Sequence, residues 1–272
     1  MRPVCLTLGM VVLASLAHAQ APVVNAGGVL NAGSYTTQGV APGSIVSIFG
    51  TNLAAGTAVA NTIPLSATLS DVTSVTFNNI PAGLFFVSQF QTNAQLPFDV
   101  LPEGQTSGTV NVVVTRVNGT STPQTVSVVP ASPGIFTTTA NGLGQAFAYD
   151  NSTSIVSAPA GSILGLTTAP ISLSSGHALI IACTGLGAVT PPIKDYVPAS
   201  DGTFRNTVLT PVVTIGGVTA KFIYSVLSPQ FVSEYQIGVV PDPATPTGNA
   251  LPIQIRIGGV TTSDKVTIAV AP

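Results

Sequence analysis

The chain has 272 residues, of which 7 are Lys or Arg and 9 are Asp or Glu, so only 6% of it is charged. Soluble domains average about 25% charged residues, and this balance excludes the basic surface that a nucleic-acid binder needs. With 45% hydrophobic residues dispersed among 27 Gly and 22 Pro, the composition argues against disorder and provides for sizeable cores in one or two domains.

At the start of the chain, Arg2 precedes an apolar run from Val4 to Leu16, and Ala17-His18-Ala19 supplies the small-x-small triplet of a signal-peptidase site. Residues 1–19 are therefore expected to be a signal peptide, and the product to be exported to the periplasm, the cell surface or the medium. The run is too short for a bilayer, which takes about 20 apolar residues, and Gly or Pro interrupts the later stretches, so no transmembrane helix is expected. Cleavage would leave Cys183 as the only cysteine and His177 as the only histidine, which excludes an intrachain disulfide.

The remainder reads as strands and turns. Ser44-Ile45-Val46-Ser47-Ile48-Phe49, Val110-Asn111-Val112-Val113-Val114-Thr115 and Ile253-Gln254-Ile255-Arg256-Ile257 are short, rich in β-branched residues and bounded by Gly, Pro or Asn. Asn118-Gly119 and Gly258-Gly259 are placed to turn tight hairpins.

The pattern occurs twice. Adding 140 to the position carries Val113, Arg116 and Gly119 onto Ile253, Arg256 and Gly259. Val75 to Ile80 lines up with Val213 to Val218, and Gly43 to Leu53 with Gly176 to Leu186. Units of this length are self-contained domains rather than solenoid repeats. The expected fold is all-β: two tandem immunoglobulin-like β-sandwiches related by internal duplication, spanning residues 20–136 and 161–272. Residues 137–160 form a connecting segment, in which Gln145-Ala146-Phe147-Ala148-Tyr149 alternates like one further strand.

Pro42-Gly43-Ser44-Ile45-Val46-Ser47-Ile48-Phe49-Gly50-Thr51-Asn52-Leu53 resembles the opening strand of IPT/TIG domains, which are immunoglobulin-like modules. Asn31-Ala32-Gly33-Ser34-Tyr35, Gln91 with Asn93 ahead of Pro97, Ser132-Pro133-Gly134-Ile135-Phe136 and Ser228-Pro229-Gln230-Phe231 together resemble a domain family of unknown function found in secreted acidobacterial proteins, usually at their C-termini. The resemblance implies the fold and an exported location, and brings no catalytic or ligand residues. Where that family shows a second Gln-x-Asn, this chain has Gln236-Ile237-Gly238.

The inventory for bond-making chemistry is sparse. His177 is a lone imidazole beside the strand Ala178 to Ala182, no Gly-x-Ser-x-Gly elbow exists, and Cys183 reads as a small buried side chain. One Cys and one His are too few for zinc, and no cofactor is expected. Asp195, Asp201 and Asp242 lie in Pro-rich loops, where they either cap their own turns or converge on calcium. Aromatic residues recur at matching places in both halves. Strict alternation sends Phe85 and Phe86 to opposite faces, and likewise Ile223 and Tyr224. Phe85, Phe86, Tyr224 and Tyr235 are therefore the expected interaction surface. The reading is a secreted, non-enzymatic interaction or scaffold module for a protein or surface polymer. One alternative is a carbohydrate-binding module with exposed aromatic residues or a groove lined by Asn, Gln and Asp. The other is a hydrolase with an interdomain site, in which His177 would stand beside Ser and Asp.

Overall fold

The computed structural model describes residues 20–272, so the expected signal peptide lies outside the described residues. Among them every regular element is a strand. The first unit begins with β1 (Val23–Asn31), β2 (Ile45–Thr51), β3 (Ala58–Val59), β4 (Val72–Phe77) and β5 (Ile80–Pro81). It continues with β6 (Leu84–Val87), β7 (Gln91–Gln95), β8 (Gly108–Arg116), β9 (Gly119–Thr120) and β10 (Gln124–Val128). Next come β11 (Gly134–Ile135), β12 (Gly144–Gln145), β13 (Ala148–Asp150), β14 (Val156–Ser157), β15 (Thr168–Ala169) and β16 (Ile171–Ser172). Then follow β17 (Leu179–Thr184), β18 (Val189–Thr190), β19 (Asn206–Thr207), β20 (Val212–Ile215) and β21 (Val218–Thr219). The chain closes with β22 (Lys221–Leu227), β23 (Tyr235–Val240), β24 (Gly248–Ile257), β25 (Val260–Thr261) and β26 (Val266–Ala271).

Two sheets form each sandwich, and their strand orders agree. In the first unit β1-β2-β7-β6-β3 faces β10-β8-β4-β5; in the second, β13-β17-β23-β22-β19 is the core of one sheet and β26-β24-β20-β21 of the other. The two apolar cores are separate. One is built around Phe77, Leu84 and Leu96, the other around Ile181, Ile215 and Tyr235. Strand β8 shows how the sequence selects a face: Val110, Val112, Val114 and Arg116 are buried, and the residues between them point outward.

The duplicated hairpins differ by one residue from the alignment read in the sequence. Arg116 pairs with Gly119 across the first turn, whereas Ile257 pairs with Val260 across the second. Arg116 therefore corresponds to Ile257, and Arg256 to Thr115. A one-residue slip exchanges the two faces of a strand. Arg116 is accordingly buried, bound to Asp71 at 2.6 Å and to the Asn52 carbonyl at 2.8 Å, while Arg256 points to solvent. The matching arginines of the sequence are not equivalent. Gly258 and Gly259 both carry positive φ and turn the second hairpin, but the first turn is Val117-Asn118, and Gly119 opens the returning strand.

The segment read as a connector pairs into both sheets of the second unit: β12 runs parallel to β26, and β13 antiparallel to β17. The residues expected to form one strand are thus split between two. The step from one sheet to the other falls at Ala146-Phe147, between β12 and β13.

Hydrogen bonds tie the sandwiches together. The chain around Ser132 already belongs to the second unit, since β11 pairs with β17; Asn31 donates its amide to the Ser132 carbonyl at 2.7 Å, and Thr184 accepts the Ile45 N–H at 3.0 Å. Gly185, at φ +81°, lies so close to the Ser132 carbonyl that a Cβ would approach it to 2.0 Å. Farther along, Tyr196 accepts the Leu65 N–H on its carbonyl at 2.9 Å, donates its own N–H to the Gln95 side chain at 2.6 Å and its hydroxyl to the Pro81 carbonyl at 2.6 Å.

Candidate functional site

A two-layer sandwich buries one face of each sheet and leaves the other to water or a partner. On the outer face of the β17-β23-β22-β19 sheet, pairing fixes two neighbouring rows of side chains. Ala182, Gln236, Val226 and Asn206 stand side by side in one; Tyr149, Ile180, Gly238 and Tyr224 form the other. Gly238 carries no side chain, and Tyr224 uses the space: a Cβ on Gly238 would lie 2.5 Å from Cε1 of the tyrosine ring. The ring is half-buried against the sheet, and burial raises its phenol above the usual range, with Tyr149 adding to the effect.

The loop from Ala199 to Asn206 rises beside these rows and closes a groove of about 660 Å³. Tyr224, Val226 and Gln236 form its floor, and Ser200, Thr203, Phe204 and Asn206 its flank. Phe204 is 78% exposed on the rim. The loop is pinned from behind. Arg205 is buried and grips Asp201 with both terminal nitrogens, with the Nη2 bond at 2.7 Å, and it donates to the Thr203 carbonyl at 2.9 Å. The hydrogen bond from Arg205 holds the Asp201 carboxyl down at about 2. Leu227 donates its N–H to the Arg205 carbonyl at 3.0 Å and stitches the loop to β22.

The amides of the groove are incompletely engaged. Gln236 Nε2 donates to Glu234 Oε1 at 3.3 Å and approaches Ser228 Oγ at 3.5 Å, leaving its Oε1 without a partner among the described residues. The Asn206 side chain likewise has none there. Burial of Glu234 raises its carboxyl above the ordinary range, and the Gln236 and Ser228 hydrogen bonds pull the other way.

Of the aromatic residues expected to form an interaction surface, Tyr224 lies in this groove, Tyr235 requires revision, and Phe85 and Phe86 are half-exposed on the first sandwich. Tyr235 is fully buried in the second core and donates its hydroxyl to the Gly187 carbonyl at 2.6 Å, so it offers no surface. Phe85 and Phe86 do not alternate across their sheet. A β-bulge between Leu84 and Phe86 interrupts the pairing, and both rings are half-buried between the buried Leu84 and Val87. The same bulge recurs between Phe222 and Tyr224, where Phe222 and Ile223 are both exposed. Sequence reading missed Phe204 and Asn206. Their signal was an aromatic residue in a Gly-, Ser- and Thr-rich loop just ahead of a strand.

The residues considered for catalysis are placed as follows. His177 Nδ1 lies 2.8 Å from Asp150 Oδ2. The Ser175 hydroxyl donates to the Ser172 carbonyl at 2.7 Å and accepts the His177 backbone N–H, so it is not directed at the imidazole. Cys183 is buried, and its thiol is pushed well up by burial and by Glu234. The three loop aspartates do not converge. Asp201 binds Arg205, Asp242 caps its own turn through the Ala244 N–H at 2.8 Å, and Asp195 accepts the Phe98 N–H at 3.2 Å. Among the described residues no three His, Cys, Asp or Glu side chains gather where a metal ion could be held. No helix among them is long and apolar enough to cross a membrane.

A second cavity, of about 620 Å³, lies at the seam between the units and is lined by Phe98, Asp99, Ile193, Asp195 and Tyr196. Burial raises the Asp195 carboxyl to about 6, and Asp99 beside it adds to the shift while the Phe98 N–H opposes it.

No protein-family model and no curated protein matches the chain. Among solved structures, it is similar to the surface glycan-binding protein PbSGBP-B from Prevotella bryantii, at 11% identity and a TM-score of 0.27, over 90% of this chain and 41% of that one. It is also similar to the I9-I11 tandem of titin, at 7% identity and a TM-score of 0.21, over 93% of this chain and 66% of that one. The C-terminal domain of the Streptococcus agalactiae AgI/II polypeptide BspA aligns at 11% identity with a TM-score of 0.18, over 90% of this chain and 98% of that one. At these TM-scores the fold assignment rests on the strand order and pairing described above.

Proposed function

We propose that this chain is an exported, non-enzymatic binding module that engages a protein or surface polymer at the cell exterior through the outer face of its second sandwich. The observation that carries this reading is the groove under the Ala199–Asn206 loop: its volume of about 660 Å³ falls within the range of small-ligand sites, and its rim aromatic residue stands 78% exposed. Such a surface binds by contact area and hydrogen bonds, and needs neither nucleophile nor metal. The sparse charge of the chain suits a partner recognised by shape and neutral polar groups, because long-range steering is weak at this charge. Export rests on the leader-like residues 1–19.

The experiment is attachment of the purified, fluorescently labelled chain to intact bacterial envelopes, compared with its Phe204→Asp variant. The reading predicts saturable attachment that the variant reduces at least tenfold while its melting curve is unchanged. Equal attachment of the two proteins would overturn the assignment of the face.

A further inference from the structure

We infer that the groove takes a neutral saccharide, one sugar ring lying against Tyr224 and Phe204 with its hydroxyls reaching Asn206 and Gln236. This rests on the groove being the binding surface and names the chemistry it selects.

Three features of the site point to that class. The first is the pairing of apolar and polar surfaces in one groove. Tyr224 supplies a flat wall against the sheet and Phe204 a second ring on the rim, while Asn206 and Gln236 flank Val226 in one cross-strand row. A pyranose has the complementary form, with apolar C–H faces and a girdle of hydroxyls. The second is charge. The charged pair in the loop, Asp201 and Arg205, is consumed in its own fork, and the groove is lined by amides, hydroxyls and apolar groups. A phosphate, a carboxylate or an ammonium group would find hydrogen bonds but no countercharge on this lining, and would lose hydration on entering. The third is hydrogen-bonding capacity. An amide offers two donors and an acceptor with two lone pairs, and a sugar hydroxyl both donates and accepts. The Asn206 side chain is uncommitted among the described residues, and Gln236 is oriented by Glu234 and Ser228 so that its carbonyl oxygen remains available. A purely apolar guest would leave these groups without partners.

Preorganisation completes the argument. The Arg205–Asp201 fork and the bond from Leu227 hold the flank in place before any ligand arrives, and Gly238 keeps the Tyr224 ring down. The volume of about 660 Å³ accommodates one or two sugar rings.

The test is isothermal titration calorimetry of the chain without its first nineteen residues against cellotetraose, mannotetraose, xylotetraose and maltotetraose, repeated with Phe204→Ala and with Asn206→Ala. The expected result is saturable binding of at least one of these, weakened tenfold or more by Phe204→Ala and at least threefold by Asn206→Ala. Silence towards all four, or binding that both variants leave unchanged, would overturn the saccharide. Envelope attachment separates the two levels of the reading: if Phe204→Asp abolishes attachment while calorimetry is silent, the groove stands and its guest is another class, a protein foremost. If attachment survives the substitution as well, the groove itself falls.

Discussion

The outer faces of the two equivalent sheets show what duplication conserved and what it released. In the first sandwich Phe86, Asn93 and Ser47 are aligned across β6, β7 and β2; the corresponding row of the second holds Tyr224, Gly238 and Ile180. The first face closes its own polar network: Ser47 and Gln91 both donate to Asn93 Oδ1, at 3.0 and 2.8 Å. In the second, Gly238 stands in the place of Asn93 and offers no such acceptor. The Tyr224 ring occupies that space, and the Gln236 carbonyl oxygen and the Asn206 side chain remain without partners among the described residues beside a groove. The backbone plan is shared, down to the bulge before Phe86 and before Tyr224, while the side chains have changed a self-satisfied surface into one with capacity to spare.

The largest effect that would break this comparison concerns the two arginines. Arg116→Ala should destabilise the protein by about 3 kcal/mol, because it strands Asp71 in a partly buried site, whereas Arg256→Ala should change stability by less than about 0.5 kcal/mol. Urea titrations of the two variants would check this, and comparable losses would show that the hairpins superpose as the sequence alone suggests. Next in size, Gly238→Asn restores the side chain of the first sheet at the cost of a clash with Tyr224. It should lower stability by about 1–3 kcal/mol, displace the ring and abolish ligand binding; an unshifted melting curve would show that the ring does not need the space.

A smaller effect belongs to the seam. The folded state holds the Asp195 proton up to about pH 6, above the ordinary carboxylate value of 3.8, so this group's contribution to stability falls as pH rises from about 4 to 6 and is flat beyond. Asp195→Asn retains an acceptor for the Phe98 N–H and removes the charge. It should stabilise the protein at pH 7.5 by about 1 kcal/mol, after allowance for solvent screening of a partly exposed carboxylate, and leave it unchanged at pH 3.5. Thermal melts at the two pH values would read the difference. Asp71 and Asp150 are shifted down, the former by Ala55 and Arg116 and the latter by His177 and its own turn, each against the opposing effect of burial. Their stabilisation is lost on acidification below the ordinary carboxylate range, in parent and variant alike. The smallest effect is expected for Phe204→Ala, which should leave stability within about 0.5 kcal/mol of the parent because its ring is already in solvent.

The period-2 alternation of Val110, Val112 and Val114, and the matched order of blocks in the two halves, made the sandwiches legible, because burial of one strand face constrains the sequence directly. Local irregularity was not legible. A bulge adds one residue to one strand without a composition signature, so Phe85 and Phe86 were assigned opposite faces by strict alternation. Tyr235 could not be told from Tyr224 because both sit in aromatic, β-branched strands; which one is buried depends on parity within β22 and β23. The groove itself depends on the loop from Ala199 to Asn206 folding back over the sheet, and on an empty position at Gly238, which are relations between segments rather than properties of either.

The most direct measurement is side-chain amide NMR of the chain during titration with the saccharide that calorimetry selects. The account predicts progressive shifts of the Asn206 and Gln236 amide resonances with Gln91 and Asn93 unmoved. Shifts confined to Gln91 and Asn93, or none in either pair, would contradict it.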